Sequence, residues 1–351
     1  MRILIIAPSW IGDAIMSQTM HRLLVQQDPK IKIDIIASTW NQALFYRMPE
    51  IHKVLTLTHA KHGSFPIKKY YQYGKLLQKS QKYQQSIILP NSFKSALIPF
   101  FAGIPKRTGW RGEMRYGIIN DMRILHPKNF PLMIERYAAL AFKKENINNT
   151  LDLPHPLPLP YLHYNPQELH AISNKFNITD NTTKIRIGIC PGAESNQAKR
   201  WPIHHYARLI LKLINQGYQT ILLGSYKEIK IGRSIKNSIP KNLQTYCHNL
   251  IGLTSLDEAI LLIKKCHAII SNDSGLMHIA CALHKPVVAL YGPSDPNCTP
   301  PLYHHTKIIK IKTHNTYKQQ TQHSYYNLDK YDPNLINIQP HTVLETLHKL
   351  L

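Results

Sequence analysis

The sequence predicts an α/β chain of two Rossmann-like domains in tandem. Three observations carry that prediction. A short apolar run, a polar turn and a segment with helical periodicity recur through the first half, stop, and restart near residue 185. Between the two series lies a stretch with prolines at 154, 156, 158, 160 and 166. The 351 residues suit two domains, each long enough for its own core.

The first series opens with a strand over 2–7, RILIIA, broken by Pro8. A turn over 8–12 follows, where Gly12 permits close approach of backbone to a ligand. A helix is expected from Asp13, with Met16, Met20, Leu23 and Leu24 on one face and Asp13 placed as its cap. Further strands are expected over 32–37, 54–57 and 86–89. Prolines at alternate positions fit neither a helix nor a central strand. The middle therefore reads as a linker, dividing the chain into domains 1–165 and 166–351. The second series runs as strand 185–190, loop 191–200 and a helix opened by Trp201-Pro202, with Tyr206, Leu209, Ile210, Leu213 and Ile214 on one face. Strand 220–223, helix 259–265, strand 267–271, turn 272–275, helix 276–283 and strand 287–290 follow. Residues 340–351 read as an amphipathic terminal helix, with Val343, Leu344, Leu347 and Leu350 as its apolar face. It is expected to pack back on the first domain. Alternating strands and helices imply parallel sheets covered on both faces. Ligands of such sheets bind at the carboxyl ends of the strands.

Composition narrows the partners. Lys plus Arg is 43 against 20 Asp plus Glu, a net +23, with 20 histidines besides. Such a field favours phosphorylated substrates, nucleic acid or an anionic membrane surface. No apolar run approaches a membrane span, and no secretory leader is visible, so a cytoplasmic location is expected. The five cysteines form no CxxC pair and read as reduced thiols. The paired histidines, 204–205 and 304–305, lack metal-ligand spacing, so no metal site is expected.

Four loops have the residue types for chemistry. In the first, Asp13 is either a helix cap or a general base for an incoming hydroxyl. In the second, over 191–202, Lys199 and Arg200 precede a helix start, which the helix dipole disfavours unless an anion binds there. In the third, SNDSGLMH over 271–278, Ser274 and Gly275 offer first-turn amides to an anion. Asp273 either caps the helix or meets a sugar hydroxyl, and His278 shares the helical face of Ser274. The fourth spans 89–116, where Lys94, Arg107, Trp110, Arg111 and Arg115 mix cations with aromatic rings. That mixture suits an anionic, partly carbohydrate ligand, with nucleic-acid backbone as the rival reading.

Four motifs together, SWIGDA at 9–14, PNSFKSALIPFFAGIPKRTGWRGEMRY at 90–116, PGAESNQAKRWP at 191–202 and SNDSGLMH at 271–278, resemble the ADP-heptose:lipopolysaccharide heptosyltransferases of glycosyltransferase family 9. The likeness is to the branch that adds the second heptose, and it is seen over about residues 1–300. The resemblance implies a GT-B fold, two Rossmann-like domains facing across a cleft, and inverting chemistry without cofactor or metal. It implies Asp13 as catalytic base and Lys199 on the donor diphosphate, with Gly12 and Ser195 nearby. It implies Glu228 on the ribose, Thr254 beside the adenine, and Asp273, Ser274, Gly275 and His278 in the donor turn. Lys94, Arg107, Trp110, Arg111 and Arg115 would then face the acceptor. The implied partners are ADP-L-glycero-β-D-manno-heptose, heptosyl-Kdo2–lipid A and, peripherally, the anionic inner face of the inner membrane, with no nucleic acid. The sister enzyme that adds the first heptose to Kdo–lipid A is the alternative within the family. A basic nucleic-acid-binding protein is the alternative outside it. Family members usually carry cysteines before the last helix, whereas 313–328 has none.

Overall fold

The structure is a computed structural model that describes residues 1–57, 67–178, 184–193, 197–311 and 331–351. The chain forms two compact units, Met1–His163 with Asn297–Thr299, and Tyr164–Pro296 with Pro300–Leu351.

In the first unit the elements run β1 (Arg2–Ile6), α1 (Ile11–Gln27), β2 (Lys32–Ser38), α2 (Gln42–Tyr46), β3 (Ile51–Leu57), α3 (Ile67–Ser80), β4 (Gln85–Ile88), α4 (Leu97–Phe101), β5 (Lys106–Trp110), β6 (Asp121–Arg123) and α5 (Met133–Ala138). The strands form one parallel sheet in the order β3-β2-β1-β4-β5-β6. Ile5 of β1 lies between Ile35 and Ile87. A central parallel strand is covered on both faces, which is why β1 is apolar at consecutive positions and Ile3, Leu4 and Ile5 are wholly buried. The helix after β1 begins two residues earlier than expected. Trp10, in extended conformation, is its N-cap, and Asp13 lies in its first turn. The cap reading of Asp13 is therefore corrected. Its carboxylate does not cap the helix, and the helix dipole favours a negative charge there.

Two strands of this unit were not expected at all. β5 (KRTGW) and β6 (DMR) carry too many charges to look like strands. They lie at one side of the sheet, where Lys106 pairs with Asp121 and Thr108 donates to the same carboxylate. The proline-rich segment is also no free linker. Tyr161 N–H donates to Gln18 Oε1 at 2.8 Å, and Thr19 Oγ1 donates to the Pro158 carbonyl at 2.8 Å. A chain poor in N–H groups cannot join a sheet, so side chains of α1 hold it instead.

The second unit runs α6 (Pro166–Lys175), β7 (Arg186–Cys190), α7 (Ile203–Asn215), β8 (Gln219–Leu222), α8 (Ile229–Asn237), β9 (Cys247–Asn249), α9 (Leu256–Lys265), β10 (Ala268–Asn272), α10 (Gly275–Ala282), β11 (Val287–Leu290), β12 (Thr306–Ile309), α11 (Pro333–Asn337) and α12 (Pro340–His348). Its sheet is again parallel, in the order β12-β11-β10-β7-β8-β9. Trp201, Tyr206, Leu209 and Leu213 join the strands in its core. So do Val343, Leu344, Leu347 and Leu350. The terminal helix thus seats its apolar face in the second unit's own core, a correction to the expected return to the first domain. Trp201 Nε1 donates to the Ile338 carbonyl at 2.9 Å and ties that segment down.

Cys190, Cys247, Cys266 and Cys281 are buried free thiols, and Cys298 is half-buried. Among the described residues no helix is long and apolar enough to cross a membrane.

Candidate active site

In the second sheet, chain order reverses between β10 and β7. The loops leaving those two strands must diverge, and the gap at their carboxyl ends is where a ligand fits. The loop after β7 ends in a 3-10 turn, Gln197–Lys199, and the loop after β10 leads into α10. Lys199 Nζ donates to Asp273 Oδ2 at 2.7 Å, joining the two loops. Asp273 is nearly buried, and the Lys199 side chain keeps 26% exposure. A cation and a carboxylate therefore stand side by side where the two loops meet.

Asn272 holds this arrangement. Its Oδ1 accepts from the Trp201 amide at 3.2 Å and from Tyr206 Oη at 2.9 Å. Its Nδ2 donates to the Pro191 carbonyl at 2.9 Å. Sequence reasoning placed Asn272 in the loop without giving it a role, because its partners lie 66 to 81 residues away. Ser274 is the N-cap of α10 and makes no capping bond through its side chain; Gly275 opens the helix. First-turn amides suit an anion. His278 is 4% exposed, and its Nδ1 has no hydrogen-bond partner among the described residues. Burial pushes its imidazole down to about 4, against the pull of Asp273. It is neutral at physiological pH.

Glu228 sits at the end of a short turn after β8. Its Oε2 accepts from the Ser225 amide at 2.7 Å and from the Ser225 hydroxyl at 3.0 Å. A Cβ on Gly192 would lie 1.9 Å from its Oε1, so only glycine lets the β7 loop pass this carboxylate. Thr254 is half-buried in the turn before α9. Ser195 lies outside the described residues, as does 313–328.

In the first sheet the chain order reverses between β1 and β4. A pocket of about 80 Å³ opens at their carboxyl ends, lined by Pro8, Ser9, Ser38, Pro90, Ser92 and Lys94 among others. Gly12 and Asp13 follow in the first turn of α1. Tyr137 Oη, from α5, donates to Asp13 Oδ1 at 2.9 Å. Burial raises the Asp13 carboxyl above its usual value, and the Tyr137 hydrogen bond opposes that rise. Burial beside Asp13 holds Tyr137 well above the usual phenol value, so it stays a donor. Tyr137 lies 124 residues from Asp13 and carries no motif, so no local signal pointed to it.

The basic cluster of the fourth loop is divided by the structure. Lys94 and Arg111 are exposed. Arg115 is wholly buried and donates to the Pro90 and Trp110 carbonyls, at 2.7 and 2.6 Å. Its assignment as an acceptor contact is corrected: the guanidinium is buried and spent on these backbone carbonyls. Trp110 is also inward, its Nε1 donating to the Arg136 carbonyl at 3.1 Å. Arg107 is half-buried and donates to the Ile104 and Ile118 carbonyls at 2.5 Å each. The glycines of this stretch are packing devices. A Cβ on Gly112 would lie 2.3 Å from the Asn91 carbonyl oxygen.

Comparison with known proteins decides the class. The family Glycosyltransferase family 9 (heptosyltransferase) matches residues 72–329. The chain belongs to that family. It is 46% identical to lipopolysaccharide heptosyltransferase 2 of Escherichia coli K12 over 353 residues, covering 100% of this chain and 99% of that protein. It is 44% identical to lipooligosaccharide heptosyltransferase 2 of Haemophilus ducreyi, with the same coverage. Among solved structures, the E. coli ADP-heptose lipopolysaccharide heptosyltransferase II superposes with a TM-score of 0.90 at 44% identity, over 100% of this chain and 98% of that one. This family member is therefore a glycosyltransferase with two Rossmann-like α/β units. Its likeness to its relatives runs the full length, beyond the residue-300 limit that motifs alone suggested. Motifs lose it there because the C-terminal region has no chemistry-bearing pattern.

Proposed function

We propose that the chain transfers heptose from ADP-L-glycero-β-D-manno-heptose to the first heptose of heptosyl-Kdo2–lipid A, inverting the anomeric centre. The observation that carries this reading is the Lys199–Asp273 pair at the β10/β7 reversal. A nucleotide-sugar donor needs both a cation for its diphosphate and an acceptor for its hydroxyls. In this reading the diphosphate takes Lys199 together with the first-turn amides of α10, and Asp273 turns to the sugar. Glu228 meets the ribose, with Thr254 near the adenine. Asp13, oriented by Tyr137, accepts the proton of the attacking hydroxyl as the new C–O bond forms and the bond to ADP breaks. The transition state has oxocarbenium character, and Lys199 stabilises the charge growing on the departing ADP. Gly12 belongs to the donor side, and Lys94 and Arg111 to the acceptor side. The enzyme works in the cytoplasm, peripheral to the inner membrane that holds its lipid-linked acceptor.

The test is ADP release from ADP-heptose with two purified acceptors, mono-heptosyl Kdo2–lipid A and heptose-free Kdo2–lipid A. Turnover on the first and little on the second is expected. The reverse preference would make this the first-heptose enzyme, and release with neither would overturn the reading.

A further inference from the structure

Beyond the pocket of the first unit, its outer surface carries a chain of ring and cation contacts. Lys75 Nζ lies 5.8 Å from the Tyr71 ring centroid. Tyr71 meets Phe101 edge-on at 5.4 Å, and Phe101 meets Phe100 at 5.6 Å. The Arg107 guanidinium lies 5.6 Å from the Phe100 centroid. The ladder therefore reads cation, ring, ring, ring, cation, across α3, α4 and β5. Tyr71 and Phe100 are 48% and 42% exposed. Large apolar rings so exposed on a soluble surface call for a partner when they are contiguous.

The charge around the ladder selects that partner. From residue 67 to residue 112 there is no Asp or Glu, against nine Lys or Arg. Amphipathic rings between cations, on a run of sequence that itself contributes no acid, suit the interface of an anionic bilayer, where rings sit at headgroup depth and cations meet phosphates. The inner faces of the same helices point the other way. Tyr70 of α3 and Ile98 of α4 line the pocket at the β1/β4 reversal. Gly74 lets the two helices touch, since a Cβ there would lie 2.7 Å from Phe101 Cβ. One helix pair thus lines the pocket on one side and bears the ladder on the other.

We propose that the Lys75–Tyr71–Phe101–Phe100–Arg107 ladder is the surface by which this enzyme rests on an anionic membrane. The choice of a bilayer over other polyanions rests on the lipid-linked acceptor proposed above. The experiment is co-sedimentation of the full chain with vesicles of phosphatidylglycerol and phosphatidylcholine, and of phosphatidylcholine alone. Binding to the anionic vesicles, weakened by 0.5 M salt, is expected. The double variant Tyr71→Ser/Lys75→Gln, at one exposed and one half-buried side chain, should lower that partition about tenfold. Leu253→Ser, at an exposed apolar residue of the second unit, should leave it unchanged. Equal loss in both variants, no vesicle binding by the parent chain, or tighter binding to single-stranded RNA than to anionic vesicles overturns the proposal. Transfer to a delipidated, water-soluble acceptor reads the proposed activity separately. The double variant should keep it, and its absence in the parent chain would indict the activity, not the ladder.

Discussion

At the scale of single residues, Asp13 is in tension between stability and function. Its carboxyl is raised by burial, so the folded state binds its proton more tightly than the unfolded chain does. Below the unfolded value both states are protonated and nothing is lost. Above the folded value the ionised group costs stability. Asp13→Asn is therefore expected to raise the melting temperature at pH 7 but not near pH 3, while kcat falls about a hundredfold or more. Calorimetry at the two pH values and a turnover assay check both halves. Tyr137→Phe removes the hydrogen bond that holds the carboxyl down. The acid limb of kcat/KM against pH should then move to higher pH, because the base is ionised over a narrower range. An unmoved limb would show that Tyr137 does not tune this group. Lys199→Ala should weaken ADP binding about tenfold or more, as measured by titration calorimetry.

Elements show how much a sequence discloses. The central strands were legible because parallel strands buried on both faces are near-continuously apolar, as β1, β7, β10 and β11 are. β5 and β6 were hidden by Lys106, Arg107, Asp121 and Arg123, which are paired with each other or with carbonyls across that side of the sheet. The loops after β7 and β10 were legible as loops, and their small residues and isolated cations led to the expectation of an anion. What failed was the direction of side chains. Arg111 and Arg115 look equivalent in sequence, yet one is exposed and the other wholly buried. Tyr137 and Asn272 were invisible or unassigned because their partners are set only by the packing of distant elements. Two substitutions test element-scale packing. Gly192→Ala should force Glu228 away from Ser225 and cost about 1–3 kcal/mol, read by denaturant melting. Leu347→Ala, in the terminal helix, should cost about 2–5 kcal/mol, because its side chain is wholly buried in the second core.

Over the whole molecule, the excess of 23 positive charges is spread through both halves of the sequence and gives long-range attraction for any polyanion. In the proposed function, specific recognition resides at the two sheet reversals. Linkage provides a global readout of the nucleotide site. At an ADP concentration a hundred times its dissociation constant, stability should rise by about 2.7 kcal/mol. The same concentration should give a much smaller thermal shift in Lys199→Ala.

The distribution of sulfur has a practical corollary. Burial pushes Cys266 and Cys281 up to about 12 and Cys190 higher still, and Cys247 is raised as well. A maleimide fluorophore needs an accessible thiolate, and those four positions deny it one. Cys298, half-exposed and rejoining the first unit where its carbonyl accepts from the Met133 amide, is the natural point of attachment. The chain thus comes with its own labelling handle, without any engineered cysteine.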